Sequence, residues 1–146
     1  MSPLLEFADK INEILPVIMR EFARRQVNEL YKGKITLPQF LLLEFLHREG
    51  TSGMSKIASF MDVSTAAITG FMDRLVREGY TVRIYDPKDR RTINAKLTPK
   101  GNELVRKINE QRRQMVISTF GKISESDRND YLRILSKIKD ILSKES

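Results

Sequence analysis

The hydrophobic period of this chain switches directly behind a glycine. After Gly79, Tyr80, Val82 and Ile84 alternate with Thr81, Arg83 and Tyr85, and a period of two marks a strand. A polar run, Asp86-Pro87-Lys88-Asp89-Arg90-Arg91, supplies a turn, and Ile93, Ala95 and Leu97 alternate in a returning strand. The chain must therefore hold a β-hairpin with a long basic tip inside an otherwise helical sequence.

Ahead of the hairpin lie two short helical patterns. Met54 to Met61 places Ile57, Ala58 and Met61 inward, and Ser64 to Glu78 does so with Ile68, Phe71, Met72, Leu75 and Val76. Only Asp62-Val63 separates them. Ser64 or Thr65 suits the N-cap of the second, and Gly79 supplies a left-handed stop. Two helices joined by so tight a turn have the organisation of a helix-turn-helix. Upstream, Thr36-Leu37-Pro38-Gln39 has capping-box spacing and opens a helix to about Glu49, apolar on most sides, with His47 at its end as a capping or packed residue. Gly50-Thr51-Ser52-Gly53 breaks the chain.

Both ends read as long helices. Leu4, Phe7, Ile11, Ile14, Ile18 and Phe22 line one face of a first helix that Tyr31-Lys32-Gly33-Lys34 ends, and Pro16 predicts a kink or two shorter helices there. A helix resumes at Thr98-Pro99-Lys100-Gly101 with Leu104, Ile108, Met115 and Phe120 on its apolar side. Ser124 starts a last one with Tyr131, Ile134, Leu135, Ile138, Ile141 and Leu142 inward. The expected fold is mainly α with a small β-hairpin wing (α+β). A winged helix-turn-helix over residues 36–100 is flanked by helical dimerisation regions at 1–35 and 101–146, in one continuous domain. The terminal apolar faces, with Leu4, Phe7 and Ile11 at one end and Ile134, Ile138, Ile141 and Leu142 at the other, exceed what one small lobe can cover, so a homodimer is expected.

Composition narrows the function. The 146 residues carry 26 Lys and Arg against 19 Asp and Glu, a formal charge of +7, with no cysteine and one histidine. Disulfides, thiol chemistry and thiolate metal sites are excluded, and a His-rich metal centre is disfavoured. No cofactor, metal or catalytic residue is expected, because His47 has no identifiable nucleophile or acid partner; the chain is not expected to be an enzyme. The early acid Glu6 and the short uncharged runs predict a cytoplasmic protein with no membrane partner.

From Arg83 to Lys100 six basic residues stand against two acids, a local excess of +4. More than half of the net charge thus sits around the hairpin, which points to double-stranded DNA as partner. An arginine-bearing tip with Lys88, Arg90 and Arg91 suits a minor groove, while a capped helix start suits the adjacent major groove. There Ser64, Thr65 and Thr69 would bond phosphates or base edges, Ala66 could meet a thymine methyl, and Arg74 lies further along the same helix. Asp89, an acid inside a phosphate-seeking loop, is expected to fix the tip by pairing with Arg90 or Arg91.

These residues resemble the MarR family of winged-helix transcriptional regulators over about Thr36 to Ile141. The matching text is Ile57-Ala58, Met61-x-Val63-Ser64, then Asp73-Arg74-Leu75-Val76-Arg77-Glu78-Gly79-Tyr80. It continues through Arg83-x-Tyr85-Asp86-Pro87-Lys88-Asp89-Arg90-Arg91 to Leu97-Thr98-Pro99-Lys100-Gly101. The resemblance implies a homodimer of intertwined terminal helices that binds a pseudo-palindromic operator, with half-sites roughly 34 to 36 Å apart. It also implies a repressor released by a small, often aromatic, anion lodged between the dimer helices and the DNA-binding lobe. No ligand-binding residue carries over, and the missing cysteine separates the chain from thiol-sensing members. Gly70 stands where members commonly carry a long polar side chain. It weakens base readout and suggests either a close backbone approach or a second class of function, a sequence-indifferent architectural DNA binder. A third class, a protein-interaction winged helix, is opposed by the charge of the hairpin.

Overall fold

The computed structural model describes residues 2–30, 35–89 and 91–145, the side chains of residues 26–30 excepted. The order is α1 (Pro3–Leu30), α2 (Leu37–Glu49), β1 (Ser52–Gly53), α3 (Met54–Met61), α4 (Thr65–Arg77), β2 (Thr81–Tyr85), β3 (Ile93–Leu97), α5 (Pro99–Phe120) and α6 (Glu125–Glu145). The chain falls into two compact units, Met1–Glu110 and Gln111–Ser146. The end of the first helix expected at Tyr31–Lys34 lies outside the described residues.

Local chemistry sets the element starts in the first unit. The Thr36 capping box closes in both directions: the Gln39 amide donates to Thr36 Oγ1 at 3.3 Å and the Thr36 amide donates to Gln39 Oε1 at 2.9 Å. From there α2 buries Phe40, Leu42, Leu43, Phe45 and Leu46 against Ile57 and Ala58 of α3 and Ile68, Met72 and Leu75 of α4. From α5, Val105 and Ile108 complete this core, while Leu104 is only partly buried; Val105 is a core residue that the expected apolar stripe of α5 does not include. His47 is exposed in the last turn of α2, its Nδ1 3.1 Å from Asn102 Oδ1. Asp62 turns the chain between α3 and α4 at φ 55°, and Gly79 leaves α4 at φ 84°.

The sheet departs from expectation at Ser52–Gly53. It has three strands in the order β1-β3-β2, all antiparallel, because Ser52 and Gly53 pair with Ala95 and Asn94. The segment expected to be only a break thus supplies the third strand. Register, and not hydrophobicity, sets the face of β2. Thr81 is 1% exposed, while Val82 is 37% exposed. Thr81 pairs with Leu97, Val82 with Lys96 and Arg83 with Ala95. Directly opposed residues share a sheet face. Once Ala95 and Leu97 enter the core, Thr81 and Arg83 go with them. The Thr81 hydroxyl then donates to Met72 Sδ at 3.2 Å.

Every residue from Ser2 to Arg20 is exposed. Pro16 sits inside α1, which continues through it, so the expectation of two shorter helices fails. The carbonyl four residues earlier, on Asn12, loses its helical donor but is open to water, which limits the cost of the proline. In the second unit, the Asp127 amide donates to Ser124 Oγ at 3.1 Å at the start of α6. Arg128 donates to the carbonyls of Phe120, at 3.1 Å, and Ile123 across the preceding turn. Tyr131, Ile134, Leu135, Ile138, Ile141 and Leu142, expected inward, are all exposed in the single chain. Among the described residues no helix is long and apolar enough to cross a membrane.

Candidate nucleic-acid interface

Ser64 is extended, at φ −70° and ψ 157°, and its Oγ accepts from the Ala67 amide at 3.1 Å. It is the N-cap of α4. Cap geometry leaves Thr65 and Ala66 exposed at the tip of the helix, with Thr69 exposed one turn on. The Thr69 hydroxyl donates to the Thr65 carbonyl at 3.0 Å. That bond takes the Thr69 proton and leaves its lone pairs to accept, from a base amino group for example. Arg74 is half-buried.

Gly70 is exposed, and a Cβ built there meets nothing within 4 Å. No backbone approaches it, so the close-approach account of this glycine is wrong. With open space and a helical backbone, Gly70→Ala is expected to stabilise the protein by up to about 1 kcal/mol. A rise in the urea midpoint would show it, and a fall would mean that the position is strained.

The hairpin tip is organised by its two acids. Asp86 Oδ1 accepts from the Lys88 amide at 2.8 Å, and Asp89 Oδ1 accepts from the Arg91 amide at 3.0 Å and from Arg91 Nε at 3.3 Å. The Thr92 amide donates to the Asp89 carbonyl at 3.0 Å, and the Asp86 amide to the Thr92 carbonyl at 3.1 Å. Asp89 pairs with Arg91, one of the two arginines expected; Arg90 lies outside the described residues. Arg91 keeps 94% of its side chain exposed despite the ion pair. The part played by Asp86 was not expected, although an Asp-Pro-Lys start is a side-chain turn signal.

Some of the basic side chains are held by partners within the chain. Arg83 pairs with Asp73 of α4 and is 21% exposed, tying β2 to that helix. Lys100 Nζ donates to the Glu78 carbonyl at 2.8 Å. Lys88, Arg91 and Lys96 remain exposed on the hairpin. Among the described residues no group of three or more His, Asp or Glu is placed to hold a metal ion.

Residues 35–93, which hold α2, β1, α3, α4 and β2, match the sequence profile of the MarR family. YkoM of Bacillus subtilis, an uncharacterized HTH-type transcriptional regulator, is 32% identical over 68% of the chain. A MarR family protein from Bacillus stearothermophilus has the same fold, with a TM-score of 0.82 over 98% of this chain and 99% of that one at 22% identity. The chain belongs to the MarR family. The aligned part spans 64% of the length of YkoM. FabT of Streptococcus pneumoniae, solved in complex with DNA, also has a similar fold. It has a TM-score of 0.83, covers 95% of this chain and 99% of that one, and is 21% identical.

Proposed function

We propose that this chain is a homodimeric, sequence-specific DNA-binding transcriptional regulator, a repressor of the MarR type on a pseudo-palindromic operator. The observation that carries the reading is the pairing, within one compact unit, of a capped and exposed helix start with a hairpin whose acids are spent on its own turn while Arg91 points into solvent. Ser64, Thr65, Ala66, Thr69 and Arg74 take the major-groove side. Lys88, Arg90 and Arg91 take the wing side, with Asp89 holding the tip. Residues 36–100 form the DNA-binding region, and residues 1–35 and 101–146 the dimerisation region. The FabT–DNA complex, on a closely similar fold, supports the choice of partner. Release by a small aromatic anion is the finer part of the proposal, and titrating aromatic carboxylates against the bound operator tests it.

Selection of bound fragments from the source genome should return a palindromic site. Affinity for it should fall steeply with salt as phosphate counterions return. Arg91→Ala should weaken all duplexes alike and lower the salt slope by about 0.9 for each phosphate it no longer neutralises. Asp89→Ala should weaken binding and blur selectivity; tighter binding at unchanged selectivity would mean that Asp89 merely repels phosphate. The open face at Gly70 favours one alternative, a sequence-indifferent architectural binder. A ratio near one between operator and random DNA would establish it instead.

A further inference from the structure

Three consecutive carbonyls behind α4 are all taken by the first residues of α5 and the residue before it. The Glu78 carbonyl accepts from Lys100 Nζ at 2.8 Å, that of Gly79 from Thr98 Oγ1 at 2.6 Å, and that of Tyr80 from the Thr98 amide at 3.1 Å. Thr98 Oγ1 in turn accepts from the Gly101 amide at 3.1 Å. The Lys100 ammonium also lies 4.9 Å from the centre of the Tyr80 ring. A cation at a helix C-terminus is favoured by the helix dipole, and one over an aromatic face by the ring quadrupole.

We propose that Lys100 is a positioning residue for DNA recognition, clasping the C-terminal end of α4 and so setting the pose from which Ser64, Thr65 and Ala66 meet a duplex, rather than contacting phosphate itself. The inference rests on the regulator reading above. Lys100 belongs to the basic stretch that points to DNA, yet one of its donors is held by a backbone carbonyl and its charge sits against a ring. Drawing the ammonium away from Glu78 and Tyr80 to follow a phosphate would break both contacts. The lever is long. A 13-residue helix is about 20 Å, so a tilt of about 3° at one end moves the other by about 1 Å. Hydrogen bonds to base edges do not survive such a shift.

The test compares wild type, Lys100→Met and Lys100→Arg on the selected operator and on random duplex of equal length, across a salt series. Lys100→Met should lose about tenfold in operator affinity, with random-duplex affinity and the salt slope as in wild type, and Lys100→Arg should bind within about twofold of wild type. Wild-type operator affinity in Lys100→Met would overturn the proposal. So would equal losses on both duplexes with a slope reduced by about 0.9, the mark of a phosphate contact. Amide exchange gives a readout without DNA: Lys100→Met should accelerate exchange from Arg77 to Tyr80, and unchanged protection there would overturn the clasp. A wild-type protein that bound no duplex would overturn the regulator reading, and with it the recognition role, whatever exchange reported.

Discussion

Gly101→Ala should cost the protein about 3 kcal/mol or more and lower its melting temperature by on the order of 10 °C. A Cβ at this position would stand 2.1 Å from the Tyr80 carbonyl oxygen, 3.1 Å from its carbon and 3.2 Å from Leu97 Cδ2. The first two are backbone atoms, so no flexible side chain can swing away. The start of α5 would have to withdraw from the end of α4, stretching the Thr98–Tyr80 and Gly101–Thr98 hydrogen bonds, both 3.1 Å long. Overpacking and partly orphaned buried bonds each cost about 1 to 3 kcal/mol. Urea or thermal unfolding reads the sum, and an unchanged midpoint would show that the junction yields freely. The opposite sign expected for Gly70→Ala makes the two glycines an internal control: one has backbone against it, the other open space.

Ile138→Asp should convert the proposed dimer to a folded monomer. Ile134, Leu135, Ile138, Ile141 and Leu142 are exposed on α6 in the single chain, as are Leu4, Phe7 and Ile11 on α1. A helix in water does not keep so many large apolar side chains uncovered without a partner. Two-fold symmetry counts each substitution twice. Losing two buried isoleucines at about 2 kcal/mol each, before any cost of burying the new carboxylates, raises the dimer dissociation constant by roughly a thousandfold. Sedimentation velocity should show a dimer for wild type and a monomer for the variant, with circular dichroism little changed and operator binding lost. A wild-type protein that stayed monomeric at micromolar concentration would remove the dimer from the proposal.

What could be read from the sequence was the chemistry that acts over a few residues. The Thr36–Gln39 box, the Ser64 cap, the Gly79 stop and the Asp89–Arg91 pair all have partners within three positions, and each lies where the letters put it. The capped helix and basic hairpin followed from them. Features that depend on distant partners were not legible. The inward face of β2 was one of them, because Val82 and Ile84 outweigh Thr81 in hydrophobicity and only the register against Ala95 and Leu97 decides the matter. Arg83 and Lys100 read as free charge because Asp73 lies ten residues away and Glu78 twenty-two. A strand as short as Ser52–Gly53 has no period to detect.

The face that β2 turns inward also bears on colloidal behaviour. In the order β1-β3-β2 the short β1 lies along one side of β3, and β2 is the sheet's outer strand. Outer strands are templates onto which other chains add, and proteins blunt them with brevity and with charges turned toward the interior. This one is five residues long and carries Arg83 on its inner face, neutralised by Asp73. A strand with Val82 and Ile84 inside and no such charge would suit the core better, and it would also be a better seed for aggregation.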